Sequence, residues 1–218
     1  METFFLLRHG ETAWNKRRRV IGRLEVPLNR VGLEQSRRMA KLLADLQLDA
    51  IYTSPLRRAV QTAEIVARRN GRTVIPDQNL TEFAFGRWAG HRYDDLIRSP
   101  RYRRFLTAPL TTQVPGGETI RDVQRRAVAA VKRAVREFPR GRILLVSHGD
   151  VIRAILCHYL RLPLGEFRRL RVDNGALAVF DSDGDWAEIK VINYLPEVAE
   201  VCKPPYPGLK PGDRETRA

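Results

Sequence analysis

Cysteine is nearly absent. The 218 residues hold two, Cys157 and Cys202, and neither lies in a C-x-x-C unit. This leaves no material for a disulfide scaffold or a cysteine-based metal or redox site. Cys157, inside the helical pattern VIRAILCHYL, reads as a reduced, buried thiol. Long apolar runs are also missing: none approaches the ~20 residues of a membrane helix. The N-terminus lacks the basic stretch and apolar core of a signal peptide. A cytoplasmic protein with no membrane partner is therefore expected. Histidine is scarce, at four residues, and no His-x-His or H-E-x-x-H spacing argues for a metal.

Lysine is scarce too. Of 39 basic residues six are lysines and the rest arginines, and the formal net charge is +14. Such an excess is a general arginine bias on a solvated surface, an attraction for a small anionic substrate, or a nucleic-acid footprint. The last would concentrate in a basic stripe interleaved with aromatics. Here the arginines run along the whole chain, so no nucleic-acid partner is expected.

Apolar patterning predicts strands at 3–8 (TFFLLR), 50–54, 72–76 and 142–148 (RILLVSH), and a hairpin over 176–192. Helical periodicity covers 32–46, the stretch opening at Ser54-Pro55 with Ser54 as N-cap, 118–138 and about 150–160. Short helices fall around 92–105. Alternating strands and helices imply a three-layer α/β/α domain with a mostly parallel central sheet over residues 1–202, carrying a cap-like insertion at about 83–117. Residues 203–218 read as a proline-rich tail.

In such sheets ligands bind beyond the carboxyl ends of the strands. Arg8-His9-Gly10 and Ser147-His148-Gly149 both stand there, and each glycine lets backbone and ligand approach closely. The alternative is two unrelated surface histidines. A neutral imidazole is a good nucleophile near pH 7. Attack on phosphorus further needs cationic donors around the phosphoryl oxygens, which arginine supplies as a planar fork. A carboxylic acid must then protonate the leaving oxygen. A Ser147-His148 hydrolase pair is a poor alternative, because adjacent strand residues point to opposite faces and no G-x-S-x-G elbow is present.

Six stretches in order, LLRHGETAWN, GRLEVPLNRVGLEQSRRMA, YTSPLRRAVQTAE, LTEFAFGRWAG, VPGGETIRDVQRR and LLVSHGDVIR, resemble the motifs of the histidine phosphatase superfamily, the phosphoglycerate mutase-like family. The resemblance spans about residues 3–180. It implies a phosphoglycerate mutase-like fold with His9 as the residue phosphorylated, Arg8, Arg58 and His148 as phosphate ligands and Glu82 as the acid. Asn15, Thr12 and Gly22 are implied phosphate contacts. No cofactor and no metal are implied. The partner is a small anionic phosphorylated substrate, and a homodimer is left open.

Other residues compete for roles. Glu11 and Glu118 are rival acids, although the dipole at a helix start suffices to explain Glu118. Asp150 reads as a helix N-terminal residue, Arg57 as a solvated cation and His158 as a partly buried, satisfied histidine. His91 opens the insertion and is left open as a ligand contact, as is Arg92. Arg92, Arg98, Arg101, Arg103 and Arg104 either hold a second anion or form a basic face in water. The first option would suit a 2,3-bisphosphoglycerate-dependent phosphoglycerate mutase. The insertion looks short for that, which favours a metal-independent phosphatase acting on a small phosphomonoester. A third possibility is a binding protein that keeps the fold but not the catalysis. The filled catalytic positions speak against it.

Overall fold

A computed structural model describes residues 1–196; the proline-rich stretch 203–218 lies outside the described residues. The first strand, β1 (Glu2–Arg8), is apolar on both faces because it is covered on both. Its alternate side chains divide between two cores. Phe4 and Leu6 join one, and Phe5 and Leu7 the other, as the period of two along a strand requires. β2 (Ala50–Thr53) and β4 (Arg142–Ser147) divide in the same way.

Together with β3 (Val74–Pro76), β5 (Leu177–Ser182) and β6 (Ala187–Tyr194) they form one sheet, ordered β3-β2-β4-β1-β5-β6. The first four positions are parallel, and β5 and β6 are antiparallel. Helices α2 (Arg30–Leu42) and α3 (Arg57–Asn70) pack on one face through Met39, Ala59, Ala63 and Val66. The long α6 (Ile120–Glu137) and α7 (Gly149–Tyr159) cover the other. The chain thus changes face between neighbours β1 and β4, which opens a crevice at their carboxyl ends. The short α1 (Ala13–Lys16) follows β1.

The insertion carries α4 (Tyr93–Leu96) and α5 (Pro100–Thr107), held by an aromatic cluster of Phe83, Phe85, Trp88, Tyr102 and Phe105. Its arginines 92, 98, 101, 103 and 104 are exposed.

Two helix starts differ from the sequence reading. α3 begins at Arg57 with no side-chain cap; Ser54 stands before it, accepting the Leu56 N–H at 3.3 Å and contacting His148. α6 is capped by Thr119 and Asp122 in a reciprocal box, so Glu118 sits outside the helix and dipole stabilisation does not account for it.

Candidate active site

Register brings the two histidines together. Arg8 pairs with Ser147 across β1 and β4, and the His9 N–H donates to the Ser147 carbonyl at 3.0 Å. One residue beyond the sheet, the His9 and His148 rings lie 5.1 Å apart at 60°. Both are buried.

The hydrogen bonds of His9 select a tautomer. Its Nδ1 lies 2.7 Å from the Gly10 carbonyl, which can only accept, so Nδ1 carries the proton. Nε2 receives the Arg58 Nε–H at 3.2 Å, as only a lone pair can. Burial, followed by Arg58 and Arg8, drives the imidazole pKa well below its ordinary value. His9 is therefore neutral at pH 7, with its free electron pair at Nε2.

Arg58 sits on the first turn of α3 and is wholly buried. Its two terminal nitrogens donate to Leu24 and Gly22 carbonyls at 3.0 and 2.7 Å. Desolvation lowers its pKa to about 10, which still leaves it charged at neutral pH. The neighbouring Arg57 is exposed, as its position about 100° round the helix requires. Arg8 donates from Nη1 to the Val172 carbonyl at 2.7 Å.

Gly149 is the first residue of α7. A Cβ there would come within 3.4 Å of the Arg8 guanidinium, so its bareness lets that cation reach the start of the helix, where N–H groups face the crevice. Gly10 has a different reason. A Cβ there would lie 2.3 Å from the Gly32 carbonyl oxygen, so Gly10 serves backbone packing against α2 rather than access for a ligand.

His148 is held by Ser54, whose Oγ lies 2.7 Å from Nε2. Its Nδ1 faces Glu82 Oε2 at 3.9 Å, beyond hydrogen-bond reach, and has no hydrogen-bond partner among the described residues. Buried polar nitrogens are normally satisfied, so this one is available to a ligand. Burial and the cations Arg58 and Arg8 keep His148 neutral as well.

Glu82 accepts the Phe83 N–H at 2.8 Å. Burial, then Asp150, pushes its carboxyl up to about 7, against the opposing pull of Arg58. Glu118 supports it from behind. Glu118 Oε1 accepts the Ala84 N–H at 3.0 Å and pairs with Arg23 and Arg126. Arg23 in turn donates to the Glu82 carbonyl at 3.1 Å, and Arg126 to the Asn79 carbonyl at 2.7 Å. One carboxylate thereby ties down the loop on both sides of Glu82. Glu11 is turned aside and accepts from Asn29 Nδ2 at 2.6 Å.

These groups open onto a cavity of about 370 Å³ lined by Arg8, His9, Asn15, Gly22, Arg58, Glu82 and Gly149. Asn15 Oδ1 accepts from Thr12 and lies 3.4 Å from Asn174 Nδ2, so its NH2 is what remains for a ligand. Gly22 contributes its carbonyl to Arg58 and stands at φ +56°.

Three expected contacts lie elsewhere. Thr12 is buried and caps α1 with its hydroxyl. His91 and Arg92 are exposed and do not line the cavity. They fall on the outer side of the turn into α4, whose Tyr93 and Asp94 face inward instead. His158 is exposed on α7, not partly buried.

Sequence reasoning missed the rest of the lining: Arg18, Arg19 and Ile21 before α2, Phe85, Ile97, Tyr102 and Leu106 of the insertion, and Asp150, Arg153 and Arg168. Arg153 pairs with Asp150 at 3.1 Å, an i,i+3 relation readable in HGDVIR. Among so many arginines no local signal marks Arg168.

A mostly parallel α/β sheet whose central strand ends gather two histidines and two arginines is the architecture these residues define. The chain belongs to the histidine phosphatase superfamily (branch 1), whose family model matches residues 4–195. It is 33% identical over 180 residues to the "Probable phosphoglycerate mutase GpmB" of Escherichia coli (strain K12 / DH10B), covering 81% of this chain and 83% of that one.

Solved structures agree in fold. Bacillus stearothermophilus YhfR superposes with a TM-score of 0.83 at 31% identity, covering 88% of this chain and 96% of that one. A mycobacterial glucosyl-3-phosphoglycerate phosphatase complexed with VO3 gives 0.81 at 29%, with coverage of 88% and 99%.

Proposed function

We propose that this protein is a phosphatase that hydrolyses a small phosphomonoester through a phosphohistidine on His9. The observation that carries the reading is the hydrogen-bonding of His9, proton on Nδ1 and lone pair on Nε2 beside the Arg58 guanidinium. The Nε2 pair attacks phosphorus and forms a P–N bond as the ester P–O bond breaks. Arg8, Arg58, Asn15 and the His148 Nδ1–H hold the phosphoryl oxygens. Neutral Glu82 passes its proton to the departing alkoxide. The resulting carboxylate then takes a proton from water, whose oxygen attacks phosphorus. The P–N bond breaks, and phosphate and neutral His9 are released.

A carboxyl near pH 7 suits both proton transfers. The step sequence uses only protein groups, so a metal chelator should leave turnover intact.

Phosphoglycerate mutase activity is the second reading, favoured by the name of the curated relative. A mutase must hold a doubly phosphorylated intermediate. The insertion arginines expected to supply the second anion site lie outside the cavity, and of the other arginines that line it Arg18 and Arg153 are paired with Asp94 and Asp150, which favours hydrolysis. Incubation with radiolabelled phosphomonoester tests the reading. Acid-labile, base-stable label on His9 and release of inorganic phosphate are expected; 2,3-bisphosphoglycerate-dependent interconversion of 2- and 3-phosphoglycerate faster than phosphate release would reverse it.

A further inference from the structure

The cavity is larger than a phosphoryl group needs, and the rest of its lining has its own chemistry. Ile21, Phe85, Ile97 and Leu106 make it apolar. Of its other cations, Arg18 is paired with Asp94 at 2.9 Å and Arg153 with Asp150, while Arg19 donates to the Gly90 carbonyl at 3.0 Å and lies over the single ring of Trp14. Arg168 is different.

The Arg168 guanidinium carbon lies 4.5 Å from the ring centroids of both Phe105 and Phe167, and Nη1 donates to the Phe105 carbonyl at 3.3 Å. No carboxylate of the described residues reaches it within ion-pair distance. A half-buried guanidinium, fixed between two rings and acted on by Asp150 only from beyond ion-pair distance, keeps donors for an anion. The rings hold the fork in place beforehand, so little side-chain entropy is lost when an anion binds.

We propose that Arg168 is the specificity residue for the end of the substrate away from the phosphate, and that it binds a carboxylate. The preferred substrate is then a phosphomonoester with a compact apolar body and a distal carboxylate. A single fork suits one planar monoanion. The neighbouring cation Arg153 is already paired with Asp150, which leaves less charge than a second phosphate dianion needs. The carboxylates Asp94 and Asp150, on the same lining, would also repel a dianion more than a monoanion. This proposal rests on the phosphatase reading for the placement of the phosphoryl group.

Binding tests it without turnover. Calorimetry on the full chain with benzylphosphonate and 4-carboxybenzylphosphonate should show the carboxylate tightening Kd by about tenfold or more. Arg168→Met, which keeps apolar contact with both rings, should abolish that advantage while leaving benzylphosphonate affinity within about threefold. Arg168→Lys should recover part of it, which separates lost charge from lost folding. For the hydrolysable benzyl phosphates the gain should appear in KM and not in kcat.

Equal affinity of the two phosphonates for the wild-type protein overturns the subsite. So does loss of selectivity in Arg19→Met but not in Arg168→Met, or a bisphosphonate of equal length binding better than the carboxylate. If the carboxylate tightens binding yet neither benzyl phosphate is hydrolysed, the phosphatase reading falls and the subsite stands.

Discussion

The Arg58 Nε–H points at His9 Nε2 from 3.2 Å. A fixed cation thus stands at the one ring nitrogen that carries no proton. Burial first, and then this contact, depress the imidazole pKa, and the contact places positive charge where a phosphoryl group must arrive. His9→Ala removes the nucleophile. It should lower kcat by roughly 10³-fold or more with no label trapped on the protein. Phosphate release at near-normal rate, measured on benzyl phosphate, contradicts the mechanism.

Arg58→Met should cost about 10²–10³-fold in kcat/KM. It also strips the donors from the Gly22 and Leu24 carbonyls, so the melting temperature should fall. Arg57→Met, one residue away and exposed, serves as the control and should change neither quantity. A large activity loss in that variant would mean that the register of α3 is wrong.

Glu82 gives a pH dependence in both activity and stability. With its carboxyl pushed up to about 7, the proton needed by a poor leaving group is lost as pH rises through neutrality. Rates for alkyl esters should decline there, and Glu82→Gln should slow them more than it slows para-nitrophenyl phosphate.

The stability sign follows from the same shift. The folded state holds this proton more tightly than the unfolded one, whose ordinary value is 4.5. The contribution is therefore full below about 4.5 and fades as pH rises to about 7. Denaturant midpoints of wild type and Glu82→Gln should diverge in favour of Gln between pH 5 and pH 8. Parallel curves would show that Glu82 is not held in a proton-retaining environment.

Glu118→Gln keeps the size of the side chain but discharges its contacts with Arg23 and Arg126. We expect roughly tenfold lower kcat on alkyl phosphates through misplacement of Glu82, a shifted alkaline limb of the pH profile, and unchanged phosphonate binding. Loss of binding and kcat together would point to general loosening of the loop.

Gly10→Ala is expected to damage folding rather than chemistry. The added methyl would meet the Gly32 carbonyl oxygen at 2.3 Å, so α2 must move, at a cost of about 1–3 kcal/mol. Soluble, fully stable protein, judged by thermal melting, would count against the tight backbone contact.

Much of the architecture was legible because apolar periodicity reports burial directly. RILLVS is apolar throughout since both faces of β4 are covered, and the six strands fall where that pattern places them. Helix starts were read less well. Ser54 looked like an N-cap, but its hydroxyl is shared between the Leu56 N–H, ahead of the helix, and the tertiary partner His148. His91 and Arg92 sit beside residues that do face the cavity, and no sequence rule separates the inner from the outer side of an irregular turn.

By itself the sequence determined the order of strands and helices and the residue types at two strand ends, because those follow from short-range periodicity. It could not determine which of the remaining arginines turn into the cavity. Arg58 is marked by its motif, but Arg153 and Arg168 become distinct only when α7 and the insertion close around them. Burial and charge pairing depend on residues distant in the chain. The tautomer of His9, the raised carboxyl of Glu82 and the ring-held guanidinium of Arg168 are consequences of the tertiary structure.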